Sequence, residues 1–458
     1  MIEVRYKNSE LVDQNSQLFK KLFDAHQRLV KKDFTIWGPD ASEEAKIRMD
    51  GIDLPAESRE LLAQLDALTA KFRHLSTIVL CGMGGSSLGP EVIAHTYGKE
   101  LIVLDSTDPH YVSRCLPEKL ETTLVIVGSK SGSTIETASQ KSLFESRFQA
   151  AGLDKTKHMI IVTDPNSPLD IQSRKSGFTV VNANSNVGGR FSVLGAFGLV
   201  PSAFLGIDVS IILDSAADTK ESLIRDPHPA LLAAYAIITG TVQYFGITDE
   251  HSQMPGLSDW IEQLIAESTG KNSVGRLPIA TESATNAATG GGFTVSFAGT
   301  ETDLIVEGAL GAHFIFWEWI TALLGVALKI DPFNQPNVTE AKEQTSACLE
   351  EWKNQLPELK PQQIDSAVEI FGDGQSLTDA LATFIEDVKE GGYIAIMAYL
   401  DRRDDQKIAE LRSILAEKSG RPTSFGWGPR FLHSTGQFHK GGQSNGSFLQ
   451  ITGATVRD

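Results

Sequence analysis

The sequence predicts an α/β protein made of two doubly wound parallel-sheet domains packed together, with a helical N-terminal segment. Three observations carry that reading. Short, nearly unbroken Val/Ile/Leu runs at residues 77–83, 101–105, 124–128, 159–163 and 179–181 alternate with helix-length segments such as 136–151, the pattern of parallel strands buried on both faces. A second series of helices and strands follows beyond residue 225. The chain's 458 residues also exceed what a single hydrophobic core organises, which divides the protein into units of about 200 residues.

The N-terminal stretch reads as helix. Leu11, Leu18, Leu22, Phe23, Leu29 and Val30 keep a rough 3.6-residue rhythm, and Leu61, Leu62, Leu65 and Leu68 resume it. The boundaries expected are a helical segment at 1–40, a first α/β domain at 41–225 and a second at 226–458. In the second domain, 229–245 and 258–266 read as helices, 293–297 and 303–306 as strands, and 313–330 as a very apolar helix. A strand at 393–400, a helix at 406–418 and strands near Phe425 and 448–451 complete it. The acidic segment 355–379 reads as a surface excursion.

Composition narrows the function. The 41 Lys and Arg stand against 58 Asp and Glu, a formal net charge of −17, whereas a nucleic-acid binder needs a basic surface. Cys81, Cys115 and Cys348 are few, odd in number and far apart; they make neither a disulfide framework nor a zinc site and fit a reducing compartment. The N-terminus MIEVRYKNSE lacks an apolar signal core. Residues 313–330 contain Glu318, end near Lys329 and have no companion span, so they read as a buried core helix rather than a membrane segment. A soluble cytoplasmic enzyme is the expected class.

Two glycine- and hydroxyl-rich turns carry the chemistry. Residues 82–90 (GMGGSSLGP) follow a predicted strand and open a helix, placing flexible backbone and free N–H groups where an anion can dock. A dinucleotide fingerprint fails at its third glycine, where Ser87 stands. Residues 129–137 (SKSGSTIET) repeat the arrangement with a run of hydroxyls at a helix N-terminus, a cradle for a small phosphate ester. There is no Walker lysine and no aspartate to hold Mg²⁺ beside it. Both turns fall at the carboxyl ends of one sheet, where α/β proteins bind ligands.

The pair GMGGSSLGP and SKSGSTIET resembles the sugar-isomerase (SIS-type) fold, and the full set of motifs resembles the glucose-6-phosphate isomerase family, most closely its shorter bacterial forms, including modules fused to transaldolase. Five stretches match in family order: 82–90, 129–137, 188–192 (GGRFS), 263–271 (QLIAESTGK) and 331–342 (DPFNQPNVTEAK). The resemblance implies that Ser86, Ser129, Ser131 and Thr134 bind the sugar phosphate, with the backbone of Gly85 nearby. It also implies Arg190 near the reacting carbons, Glu267 as base, and Gln263, Gln335 and Lys342 as substrate contacts. The residues suit these roles. Aldose–ketose isomerisation through an enediol(ate) needs a positioned carboxylate, a cation or donor for the oxyanion, and no metal or organic cofactor. Gln263 lies four residues before Glu267, on the same helix face. Gly189 and its neighbour let backbone approach the cavity beside Arg190, and Lys342 follows Gln335 by seven residues, on the same face if Pro336 opens a helix.

One departure stands out. The family's ring-opening histidine normally lies between the glutamate and lysine motifs, where this chain has only His313, at the start of the apolar helix. Residues 426–442 (GWGPRFLHSTGQFHKGG) resemble the family's Gly-Gln-His region, relocated after the lysine motif. His433 and His439 are therefore the candidates. The expected activity is interconversion of glucose 6-phosphate and fructose 6-phosphate; by analogy the enzyme is a homodimer. The rivals are a non-catalytic sugar-phosphate-binding regulator of the same fold and an isomerase that also accepts mannose 6-phosphate. A dehydrogenase is a distant option, and a fused transaldolase barrel finds no room in this chain.

Overall fold

The computed structural model describes residues 2–7, 12–289, 292–353 and 359–454. The first sheet is built from β2 (Thr77–Gly82), β3 (Ile102–Leu104), β4 (Thr123–Gly128), β5 (Met159–Thr163) and β6 (Thr179–Asn182). Its order is β3-β2-β4-β5-β6, all parallel. The strand order reverses between β2 and β4, whose last residues, Gly82 and Gly128, are direct partners. That reversal opens a crevice at the carboxyl edge, and both hydroxyl-rich turns leave the sheet there. β4 and β5 are buried along their whole length, as their unbroken apolar sequence requires.

The second sheet is built from β1 (Glu3–Tyr6), β7 (Tyr244–Thr248), β8 (Leu277–Thr281), β9 (Phe293–Ser296) and β10 (Leu304–Glu307), in the order β1-β10-β9-β7-β8. Two segments differ here from the sequence expectation. The N-terminal residues form a strand rather than a helix: β1 pairs antiparallel with β10, Val4 opposite Val306, because Val4 and Tyr6 alternate toward the core with period two. The apolar run 229–245 also divides. Its helix, His228–Gly240, ends where the Thr241 hydroxyl donates back to the Ile237 carbonyl, and β7 begins three residues later.

Residues 226–458 hold a further, separate sheet of β13 (Tyr393–Tyr399), β14 (Thr423–Trp427) and β15 (Gly446–Thr452), again parallel, with β13 in the middle. The acidic excursion carries an exposed hairpin of β11 (Gln363–Asp365) and β12 (Val368–Ile370); residues 355–358 of that excursion lie outside those described.

The apolar helix Leu310–Leu328 is the centre of the molecule, 94% buried over its most apolar stretch. It packs on the helices Gln17–Val30, Val209–Arg225, His228–Gly240 and Leu257–Thr269. Trp37 donates its indole N–H to the Ala322 carbonyl (2.9 Å) and Trp319 donates to His26 Nδ1 (3.1 Å), which ties the N-terminal segment to this helix. His313 is fully buried and meets the Phe297 ring edge-on. Neither of its ring nitrogens has a hydrogen-bond partner among the described residues, so it belongs to the core.

Burial pushes the pKa of His26 down to about 4 and that of His313 down to about 3. Both values lie below that of an unfolded histidine, so unfolding takes up protons once the pH falls below about 6.5. Stability should therefore decline from about pH 6.5 downward, with these two groups contributing about 2.7 kcal/mol per pH unit near pH 5. Urea denaturation across about pH 4.5–7 reads the slope, and His313→Leu should remove about one proton from it. An unchanged slope in that variant would show that His313 is not held neutral by the fold.

Candidate active site

Six sequence-remote segments meet at or beside the carboxyl edge of the first sheet: 84–86, 129–134, 189–191, 263–271, 331–335 and 430–433. The glycine turn follows β2, with Gly84–Ser86 in a single 3-10 turn before the helix Leu88–Thr96. A Cβ added at Gly84, whose φ is +56°, would lie 2.5 Å from the His433 carbonyl oxygen and 2.9 Å from Gln263 Nε2; one at Gly85 would collide with the Gly189 carbonyl. These two glycines are required by close backbone approach. The Ser86 hydroxyl turns back on its own loop, donating to the Met83 carbonyl and accepting from the Met83 N–H.

The second turn follows β4. A Cβ added at Gly128 would lie 3.3 Å from the Ser86 Cβ, so the two turns are immediate neighbours. Ser129 is buried and accepts from the Gly132 N–H (3.2 Å). Ser131 and Ser133 are exposed and share a hydrogen bond of 2.7 Å. Thr134 caps the helix Ile135–Ala150 through its backbone position, with no side-chain cap bond. Lys130 turns away to Asp164 (2.6 Å). The hydroxyls of Ser131 and Thr134 thus stand at a helix N-terminus, where backbone N–H groups and the helix dipole favour an anion.

Arg190 is the hub. It sits in the short 3-10 turn Gly189–Phe191 and is 3% exposed. Its Nε donates to Ser268 Oγ (2.7 Å); Nη1 donates to Glu267 Oε1 (2.9 Å) and Gln335 Oε1 (2.8 Å); Nη2 donates to the Pro332 and Asn334 carbonyls. Glu267 comes from the helix Leu257–Thr269 and its side chain is 13% exposed. Gln263, one turn earlier, donates through Nε2 to Glu267 Oε2 (3.1 Å) and to the His433 carbonyl (2.9 Å). Both carboxylate oxygens are therefore held. Gln335 precedes the helix Pro336–Trp352; Lys342 is on that helix, and its side chain lies outside the described residues.

The two histidines part ways. His433 ends the 3-10 turn Arg430–His433 and is half-buried beside the second hydroxyl-rich turn, its Nε2 3.2 Å from Glu136 Oε1. His439 lies instead against the three-stranded sheet. It stacks on Tyr393 (centroids 5.6 Å, 15° between planes), meets Phe448 edge-on and shares a 2.7 Å hydrogen bond with the Tyr393 hydroxyl. Burial pushes its pKa down to about 3. This aromatic stack, not the Arg190–Glu267 pair, surrounds His439.

Three functional neighbours escaped the sequence reading of individual residues, although each lies inside a motif. Glu136, in 129–137, faces His433. Ser268 accepts from Arg190. Lys271, the last residue of 263–271, is 1% exposed and its Nζ donates to the Asp331 carbonyl (2.7 Å) and the Asn334 side-chain oxygen (2.9 Å). Burial, then the charge of Arg190, push its pKa down to about 7. Arg190 and Lys271 together clamp the 331–334 turn that presents Gln335. Among the described residues no group of three His, Cys, Asp or Glu side chains is placed to hold a metal ion.

The model of the family described as "Phosphoglucose isomerase" matches residues 40–276, a span that holds the first four motifs. Glucose-6-phosphate isomerase of Campylobacter jejuni is 33% identical over 220 residues, covering 45% of this chain and 54% of that protein. A probable glucose-6-phosphate isomerase of Haloarcula marismortui is 32% identical over 235 residues, 48% of this chain and 54% of its own length. The chain spans about half the length of these curated relatives. Among solved structures, a hypothetical protein from Thermus thermophilus superposes with a TM-score of 0.65 at 22% identity, covering 76% of this chain and all of that one. A glucose-6-phosphate isomerase from Chlamydia trachomatis gives 0.61 at 18% identity, covering 78% and 90%; at these identities the likeness is one of fold. With more than half of its residues matched by the family model, the chain belongs to the phosphoglucose isomerase family.

Proposed function

We propose that the protein interconverts glucose 6-phosphate and fructose 6-phosphate by proton transfer between C1 and C2 through a cis-enediol(ate). The observation that carries this reading is the geometry around Glu267: Arg190 on one carboxylate oxygen, Gln263 on the other, and two hydroxyl-rich helix N-termini beside them. The phosphate docks on Ser86, Ser129, Ser131 and Thr134, with Gly85 and Gly189 forming the cavity floor. That anchorage sets the open-chain C1–C2 bond over Glu267, which removes the C2 proton of the aldose and returns it to C1, while the O2 hydroxyl proton passes to O1, leaving a carbonyl at C2 and a hydroxyl at C1. Negative charge develops on the adjacent oxygen, and the Arg190 guanidinium, already fixed by five acceptors, stabilises it without reorganisation. Gln335 and Lys342 orient the sugar hydroxyls.

Ring opening falls to His433. Its imidazole faces Glu136 beside the phosphate turn, and its backbone is one hydrogen bond from the Gln263–Glu267 pair. A histidine there suits a step that protonates the ring oxygen as the C1–O5 bond breaks and the anomeric hydroxyl loses its proton. The finer reading includes a cytoplasmic homodimer, supported by the unpaired cysteines and by family analogy.

The test is a coupled assay with fructose 6-phosphate, run with and without a chelator. Equal, robust formation of glucose 6-phosphate is expected, and no product above background would end the isomerase reading. Glu267→Gln should lower turnover at least ~10²-fold, the usual cost of a missing general base, while sugar-phosphate binding by calorimetry stays within a few-fold. Near-normal turnover would place the base elsewhere.

A further inference from the structure

The His433 turn is tied to the first sheet by buried charge. Arg402 follows β13 and Arg430 follows β14, so both leave the carboxyl edge of the three-stranded sheet. Opposite them stand Asp105, just after β3, and Glu91, in the first turn of the helix that follows the glycine turn. Arg430 Nη1 lies 2.8 Å from Glu91 and 3.3 Å from Asp105; Arg402 Nη2 lies 3.0 Å from Glu91 and 3.6 Å from Asp105. No side chain of the four is more than 16% exposed. Arg402 also donates to the Tyr111 hydroxyl and lies over its ring. Two guanidinium groups and two carboxylates balance, which is what allows such a cluster to be buried.

Its placement goes beyond docking. Arg430 begins the 3-10 turn that ends at His433, and Glu91 belongs to the helix opened by the glycine turn. The Arg430–Glu91 pair therefore sets the spacing between His433 and the phosphate-binding edge. A separate contact at the rim, Arg114 with Asp401 and Asp404, holds the same two units together without touching the His433 turn.

We propose that Arg430, held by Glu91 and Asp105, is a positioning residue that fixes the His433 turn for opening of the sugar ring. This rests on the isomerase reading above. Displacing the turn should slow the step before proton abstraction and leave the Arg190–Glu267 pair in place: Gln263 would lose its bond to the His433 carbonyl, but Arg190 still holds Glu267 Oε1 and is itself fixed by Ser268 and the 331–334 turn.

The experiment compares turnover of glucose 6-phosphate with that of its C2-deuterated form. In Arg430→Met, turnover should fall about tenfold or more with KM within about threefold, and the deuterium effect on turnover should be close to about 1, since C–H cleavage no longer limits the rate. Arg114→Ala should retain parental turnover. Lost turnover in Arg430→Met with a deuterium effect above about 2 would overturn the proposal, because the proton-transfer step itself would be damaged. Undiminished turnover would overturn it as well. Should Arg430→Met not fold, Arg430→Lys keeps the buried charge and carries the same test, with a loss of about threefold or more expected. Absence of turnover in the parent would instead remove the isomerase reading.

Discussion

The candidate site depends on burying one arginine. A guanidinium taken almost wholly out of water is tolerated only where its donors are matched, and Arg190 meets that demand with acceptors from two remote segments: Glu267 and Ser268 on one helix, and Gln335 with the carbonyls of Pro332 and Asn334 in one turn. Satisfying Arg190 therefore assembles the site. The helix bearing Glu267, the turn before Gln335 and the glycine loop of Arg190 cannot shift independently without leaving a buried charge unpaired. Lys271 adds a second cation beneath the same turn.

This constraint explains the glycines around it. Gly84 and Gly85 stand where backbone carbonyls of His433 and Gly189 approach too closely for any Cβ. Such contact brings the glycine turn against the segments that carry Arg190, Gln263 and His433. The rigidity also bears on catalysis, since a preorganised donor stabilises developing charge without moving at the moment of reaction.

Residues whose neighbours are close in sequence were legible there. The parallel strands of the first sheet announce themselves as unbroken apolar runs, Gln263 and Glu267 share a helix face by spacing, and the two hydroxyl-rich turns follow strands. Partnerships across hundreds of residues were not. The pairing of β1 with β10, the separation of the three-stranded sheet, and the stacking of His439 on Tyr393 depend on where distant segments meet. The same holds for the choice between histidines: both lie in one glycine-rich stretch, yet a single turn of chain sends His433 to Glu136 and His439 into an aromatic stack. The charge cluster of Glu91, Asp105, Arg402 and Arg430 likewise carries no local signature.

The proposed chemistry turns on Glu267, fixed by Arg190, carrying a proton between adjacent carbons. Conversion of fructose 6-phosphate in D₂O, with the glucose 6-phosphate formed read by proton NMR, tests it most directly. A proton held on a carboxylate exchanges with solvent in a fraction of turnovers before it is returned, so measurable deuterium is expected at C2 of the product. Product formed with no deuterium at C2 would mean that hydrogen passes directly between the carbons, and would contradict it.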